Sequence, residues 1–183
     1  MKRSLQENAA GRDGQRRAAL TLRLVDHVLA HGLAGASLRP LAAAAGTSDR
    51  MLIYYFGDRA TLIAAVLEEV ARRMTAVLNA QRASAPLPRE VLVARLLPLL
   101  FEPAVWPYMQ VWLEMASLAA RGDADCRRVG ESIARGFLAW GAAQIDAPEA
   151  ERDAEAVRLL MTIEGAVLLK SLGLGADVAA LTP

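Results

Sequence analysis

The chain has 183 residues, a formal net charge of +1, one cysteine and 54% hydrophobic residues. Alanine (37) and leucine (28) far outnumber valine, isoleucine and threonine, which total 24. Ala and Leu lose little in a helix, whereas β-branched residues suit a pleated sheet, so a sheet-based fold is disfavoured and the expectation is all-α.

Residues 1–14 are polar, contain Gly11 and Gly14 and read as a flexible arm. This N-terminus is too polar for a signal peptide. From Gln15, the series Ala18, Leu22, Val25, Leu29 marks one face of a helix that ends at His31-Gly32. Ser37 supplies the N-cap of a short second helix, with Pro40 in its first turn and Leu38, Leu41 and Ala42 as its buried side. Gly46 stops it. Thr47 or Ser48 caps a third helix to about Tyr55, with Met51, Leu52 and Phe56 as core candidates, and Gly57-Asp58 opens a fourth. The fourth carries Ile63, Val66, Leu67, Val70, Met74 and Val77 on one stripe and runs to about Asn79.

The stretch Ser84–Pro88 is a break. A helix from Arg89 reaches roughly Phe101, with Pro98 implying a kink or an early end. Pro103 and Pro107 bracket the start of the next, which ends near Arg121-Gly122. Asp123 begins a long helix with Val129, Ile133, Phe137 and Trp140 on one face. Asp146-Ala147-Pro148-Glu149 signals the start of another, which runs to about Leu172. The expected architecture is a three-helix N-terminal domain followed by a helical bundle, about nine helices in all. The domains are an arm over 1–14, a helix-turn-helix over 15–60, and a ligand-binding and dimerisation domain over 61–183.

Charge is not spread evenly. Residues 1–60 hold nine Lys/Arg against five Asp/Glu, and residues 61–183 hold twelve against fifteen. A basic head on a slightly acidic body directs the search for a polyanion partner to the first segment. The lone Cys126 excludes an intramolecular disulfide and multi-cysteine metal sites, which fits a reducing cytoplasm. No stretch of about 18 residues is free of charges, so no membrane span is expected.

Three short helices followed by a long one, with a tight turn at Gly46-Thr47-Ser48, have the layout of a helix-turn-helix whose third helix enters the major groove. Short or polar side chains near that helix's N-terminus reach base edges, and Thr47, Ser48, Asp49, Arg50 and Met51 occupy that end. Backbone N–H groups there, and beside Arg59, are candidates for phosphate.

The run Ser37 to Leu62, SLRPLAAAAGTSDRMLIYYFGDRATL, resembles the signature of TetR-family transcriptional regulators. The matching features are Ser-Leu-Arg at the second helix, Ala-Gly-Thr-Ser at the turn, Leu52 followed by Tyr-Tyr-Phe, and Gly-Asp-Arg at 57–59 with Leu62. The resemblance extends from Gln15 to about Val70. It implies DNA contacts from Arg39, Tyr54, Tyr55 and Arg59, with Ser37 in the candidate set. Two positions depart from the pattern. Ile53 stands where the family usually has a phosphate-binding tyrosine. Asp49 stands where it often has a neutral or basic residue, and is open to accepting from a cytosine amine, pairing with Arg50 or capping the helix.

The second half holds an apolar and aromatic set from which an effector pocket is expected. Its candidates are Tyr108, Met109, Trp112, Glu114, Phe137, Trp140 and Glu164. Core packing explains most of the apolar members, but Glu164 shares a face with Val157, Leu160, Met161, Val167 and Leu168 and must find a partner or water. It is open to lining a cavity, meeting a cationic or hydroxylated effector, or reaching an arginine across a dimer. Small residues (Gly130, Ala134, Gly136, Gly141, Ala142; Gly165, Ala166) interleave the apolar stripes of the last two long helices. That pair is the candidate homodimer interface.

The expectation is a homodimeric regulator, a repressor, acting on palindromic double-stranded DNA and released by a small-molecule effector. A helical ligand- or partner-binding protein that keeps the fold without specific DNA reading is the alternative. No nucleophile–base pairing, HExxH, phosphate-cradling loop or paired metal ligands is found, so no enzyme activity, catalytic residue, metal or cofactor is expected. His27, His31 and Cys126 are expected to pack or cap.

Overall fold

The computed structural model describes residues 2–180. These residues form nine α-helices: α1 (Lys2–His31), α2 (Leu38–Ala45), α3 (Asp49–Phe56), α4 (Arg59–Ala80), α5 (Arg89–Phe101), α6 (Trp106–Ala120), α7 (Ala124–Gln144), α8 (Arg152–Ser171) and α9 (Gly175–Ala180). A 3₁₀ turn at Glu149–Glu151 precedes α8, and among the described residues there is no strand. The fold is all-α, as the Ala/Leu excess requires. The chain divides between Arg73 and Met74 into two compact units.

In the first unit, α1 packs on α2 and α3, and α2 on α3. Its core is Leu20, Leu24, Val25 and Val28 from α1, Leu41, Ala42 and Ala45 from α2, Leu52 and Phe56 from α3, and Leu62, Val66, Leu67 and Val70 from α4. Two expectations shift. The buried face of α1 is the Leu20–Leu24–Val28 arc, while Ala18 and Leu22 face outward and only Val25 belongs to both sets. Apolar residues cover a wide arc of α1, and the position of α2 and α3 decides which part is buried. Met51 is likewise exposed, beside buried Leu52. In addition, α1 begins at Lys2, so the segment read as an arm is helical, with Gly11 and Gly14 inside the helix and nothing crowding either. Arg73 ties α4 to α1 through Asp26 (2.6 Å) and the Leu22 carbonyl (3.3 Å).

In the second unit, α8 lies against α5, α6, α7 and α9, and α6 lies against α7. Leu92, Leu96, Leu97, Leu99 and Leu100 of α5 meet Val105, Ile145, Leu159, Ile163 and Val167 in the core. Pro98 is accommodated inside α5, which continues to Phe101. Asp123 caps α7, its carboxylate accepting from the Cys126 N–H at 2.8 Å. Cys126 is buried. Asp146 does not cap α8. Its N–H donates to the Leu87 carbonyl (2.9 Å) while the Leu87 N–H donates to Gln144 (2.8 Å), pinning the 81–88 connection to the end of α7. The buried Gln144 side chain adds an acceptor for the Ala83 N–H. The short α9, absent from the sequence expectation, buries Val178.

Candidate nucleic-acid interface and effector region

The turn between α2 and α3 is built from local chemistry. Gly46 takes the left-handed conformation (φ 65°, ψ 41°), its N–H donating to Ala43 and the Thr47 N–H to Ala42, which closes α2 with paired carbonyls. Ser48 then caps α3, its hydroxyl accepting from the Met51 N–H at 3.3 Å. Ser37 holds the N-cap position of α2 without a side-chain bond. Gly57 (φ 86°) ends α3, and the Asp58 carboxylate accepts from the Thr61 N–H at 2.7 Å to open α4. That bond holds the Asp58 carboxyl below its ordinary range.

With Leu52 and Phe56 buried, α3 turns Arg50, Met51, Ile53 and Tyr54 outward, with Asp49 at its start. Capping falls to Ser48, so Asp49 is free of that task. Among the described residues Asp49 and Arg50 form no ion pair with each other. Tyr54 is 65% exposed and Tyr55 half-buried, their rings packed edge to face at 5.0 Å. Ser37 and Arg39, at the start of the neighbouring α2, are exposed, and Thr47 is half-buried at the turn. Arg59 is partly committed within the protein: Nη2 donates to the Ala36 carbonyl at 3.1 Å.

Three contributors escaped the sequence reading. Arg23 donates from Nη1 to the Ala45 carbonyl at 2.9 Å, bracing the end of α2 beside the turn. The Tyr54 hydroxyl donates to Asp13 (3.5 Å), and the Arg17 guanidinium lies 5.0 Å from the Phe56 ring. These partners are 22 to 41 residues apart, and no local pattern marks them.

In the second unit, the Trp112 indole N–H donates to the Glu164 carboxylate at 2.7 Å, so Glu164 finds its partner on α6. Burial pushes the Glu164 carboxyl above its ordinary range, and the indole bond offsets part of that rise. Phe137 and Trp140 pack with ring centroids 5.9 Å apart, and both, with Met109, lie against the core. The Trp140 indole nitrogen is buried with no hydrogen-bond partner among the described residues. Tyr108 is half-buried. Glu114 follows Trp112 by two positions, about 200° around α6, so the two do not share a face.

Lys170 was not singled out from sequence. Its ammonium donates to the Phe101 carbonyl at 2.7 Å and lies 4.2 Å and 4.4 Å from the Phe101 and Trp106 rings. Burial lowers its pKa.

His27 and His31 stack at 4.3 Å, and the His31 Nδ1 lies 3.0 Å from the His27 carbonyl. Among the described residues no group of three or more His, Cys, Asp or Glu is arranged to hold a metal ion. No single helix is long and apolar enough to cross a membrane.

The last two long helices divide their small residues. A Cβ at Gly141 would meet Leu159 at 3.5 Å and Ala156 at 3.6 Å, and one at Gly130 would meet Met115 at 3.5 Å, so these serve packing within the chain. Gly136 and Gly165 have open space. Around Gly165, α8 exposes Val157, Met161 and Leu168, and Leu172 just past its end is exposed too.

No protein-family model and no curated protein matches the chain. Solved structures do. A chain from Rhodococcus sp. classed with the TetR-family transcriptional regulators superposes with a TM-score of 0.67 at 18% identity, covering 93% of this chain and 100% of its own. A transcriptional regulator from Rhodococcus sp. Rha1 gives 0.70 at 20% identity, covering 89% and 86%. The multidrug binding protein EbrR, complexed with imidazole, gives 0.65 at 24% identity, covering 92% and 90%. The shared all-α architecture is therefore that of these regulators.

Proposed function

We propose that this chain is a TetR-like transcriptional regulator, a repressor that binds palindromic double-stranded DNA in the cytoplasm and is released by a small-molecule effector. One observation carries it: α3 is held by a tight turn and a buried Leu52/Phe56 face, so Arg50, Tyr54 and the residues at its start project together from the surface. That is how a helix is presented to a major groove. Exposed Arg39 on α2, which packs against α3, and the positive N-terminal end of α3 suit phosphate or base edges.

A two-fold partner follows from DNA geometry, since two recognition helices must meet successive grooves about 34–36 Å apart. The exposed Val157–Met161–Leu168 stripe on α8, continued by Leu172 at its C-cap, and exposed Gly136 on α7 support pairing through these two helices. The Trp112–Glu164 bond supports an effector region in the second unit, with Phe137, Trp140, Met109, Tyr108 and Glu114 as further candidates there. An effector acts only through different affinities for the bound and released conformations. The likeness to EbrR supports a small-molecule role for the second unit.

Selection of duplexes from a randomised pool by the purified chain tests the reading. A palindromic consensus is expected, and Arg39→Ala is expected to weaken its binding by about 1–3 kcal/mol, roughly 5- to 150-fold. No sequence preference at low salt overturns it. The exposed Ile53 and Asp49 favour the second reading, a helical binding protein without DNA specificity, should that outcome be found.

A further inference from the structure

Residues 11–19 of α1 are exposed, and two of them reach α3, one at an outward side chain and one over a buried ring. Asp13 meets the Tyr54 hydroxyl (3.5 Å), and one turn later Arg17 lies over Phe56 (5.0 Å). This part of α1 therefore runs beside the recognition helix. Residues 11–17 carry Arg12, Arg16 and Arg17 against Asp13 alone. The direction of one stripe is known, because Arg23 reaches the Ala45 carbonyl and lies against Gly46 at the helix-turn-helix turn. Counting about 100° per residue, Arg16 lies within about 20° of Arg23 on the same stripe. Arg16 is exposed.

We propose that residues 11–17 of α1 form a second DNA-contacting element, in which Arg16 binds a backbone phosphate beside the groove entered by α3. Asp13 works against it, because a carboxylate at Tyr54 repels the same phosphates. The inference rests on the DNA-binding reading above and adds a flanking contact to it. A guanidinium on this stripe gains from counterion release, a contribution independent of base sequence. It supplies an anchor in a protein whose α3 has Ile53 at an exposed position.

The test uses the full chain and a duplex that it selects from a randomised pool, with fluorescence anisotropy over a range of salt concentrations. Removal of one phosphate contact lowers the salt slope by about 0.9, equivalent to about eightfold weaker binding at 0.1 M relative to 1 M salt. Arg16→Ala is expected to show that loss evenly across duplexes of different sequence, and Arg16→Lys to restore the slope. Asp13→Asn keeps an acceptor for Tyr54 but removes the charge, and is expected to tighten binding about two- to fivefold, the range of an exposed charge pair. An unchanged slope in Arg16→Ala, or weaker binding in Asp13→Asn, overturns the inference while DNA binding by the unaltered chain stands. Failure of the unaltered chain to select any duplex overturns both.

Discussion

Gly46 offers the sharpest test of how the turn presents α3. Its φ of 65° lies in the left-handed region, where a residue with a Cβ is strained by about 1–2 kcal/mol. Space is not the obstacle. A Cβ there would meet only the Arg23 guanidinium nitrogen, at 3.4 Å, the movable end of a flexible side chain. Gly46→Ala is therefore expected to cost about 1–2 kcal/mol from backbone strain alone. For a chain of this size that lowers Tm by roughly 2–8 °C. Gly46→Asn is expected to recover part of the loss, because Asn visits the left-handed region more readily. Thermal and urea unfolding of the two variants beside the parent measure this. An Ala variant as stable as the parent, or an Asn variant less stable than Ala, would refute the strain argument.

Three further outcomes are expected. Glu164 has its folded carboxyl raised by burial, so the folded state holds a proton that the unfolded state releases, and stability falls as pH rises through the window above the ordinary carboxyl value. Glu164→Gln still accepts from Trp112 and is expected to remove that decline; urea midpoints at acidic and neutral pH show it, and a decline persisting in the variant contradicts it. Lys170→Met loses a charged hydrogen bond to Phe101, and a destabilisation of about 1.5–3 kcal/mol is expected by urea unfolding, with no change pointing to a dispensable contact. Met161→Glu, at a position 68% exposed, is expected to leave the fold of the protomer intact yet shift the chain to monomer in analytical ultracentrifugation; a dimer that survives it places the interface elsewhere.

Much of the architecture is legible in sequence where its cause is local. The glycine at 46, the caps at Ser48 and Asp123, and the Arg89 and Phe101 ends of α5 follow from backbone freedom, hydroxyl or carboxylate acceptors and apolar periodicity within a few residues. Expectations shift where partners are remote. The buried arc of α1 depends on where α2 and α3 lie against it, and Asp146 gives its N–H to Leu87, far back in the chain, rather than opening a helix. For the interface, the residues of α3 and its turn are readable from their positions, but the bracing by Arg23 and the contacts of Asp13 and Arg17 are tertiary. In the second unit, the need of Glu164 for a partner is plain from its apolar face. That the partner is Trp112, 52 residues away, is visible only in three dimensions.

The placement of the aromatic residues also makes the two units optically distinct. All three tryptophans (Trp106, Trp112 and Trp140) belong to the second unit, whereas the aromatic residues of the first are Tyr54, Tyr55 and Phe56, none of which absorbs at the red edge of indole. Excitation at the red edge of indole absorption thus follows the second unit alone, while circular dichroism sums the helices of both. Melting curves recorded with the two signals coincide if the units unfold together and separate if they do not. A change in indole emission that is lost on replacing Trp112 with Phe further distinguishes a ligand arriving at Glu164 from one binding at α3.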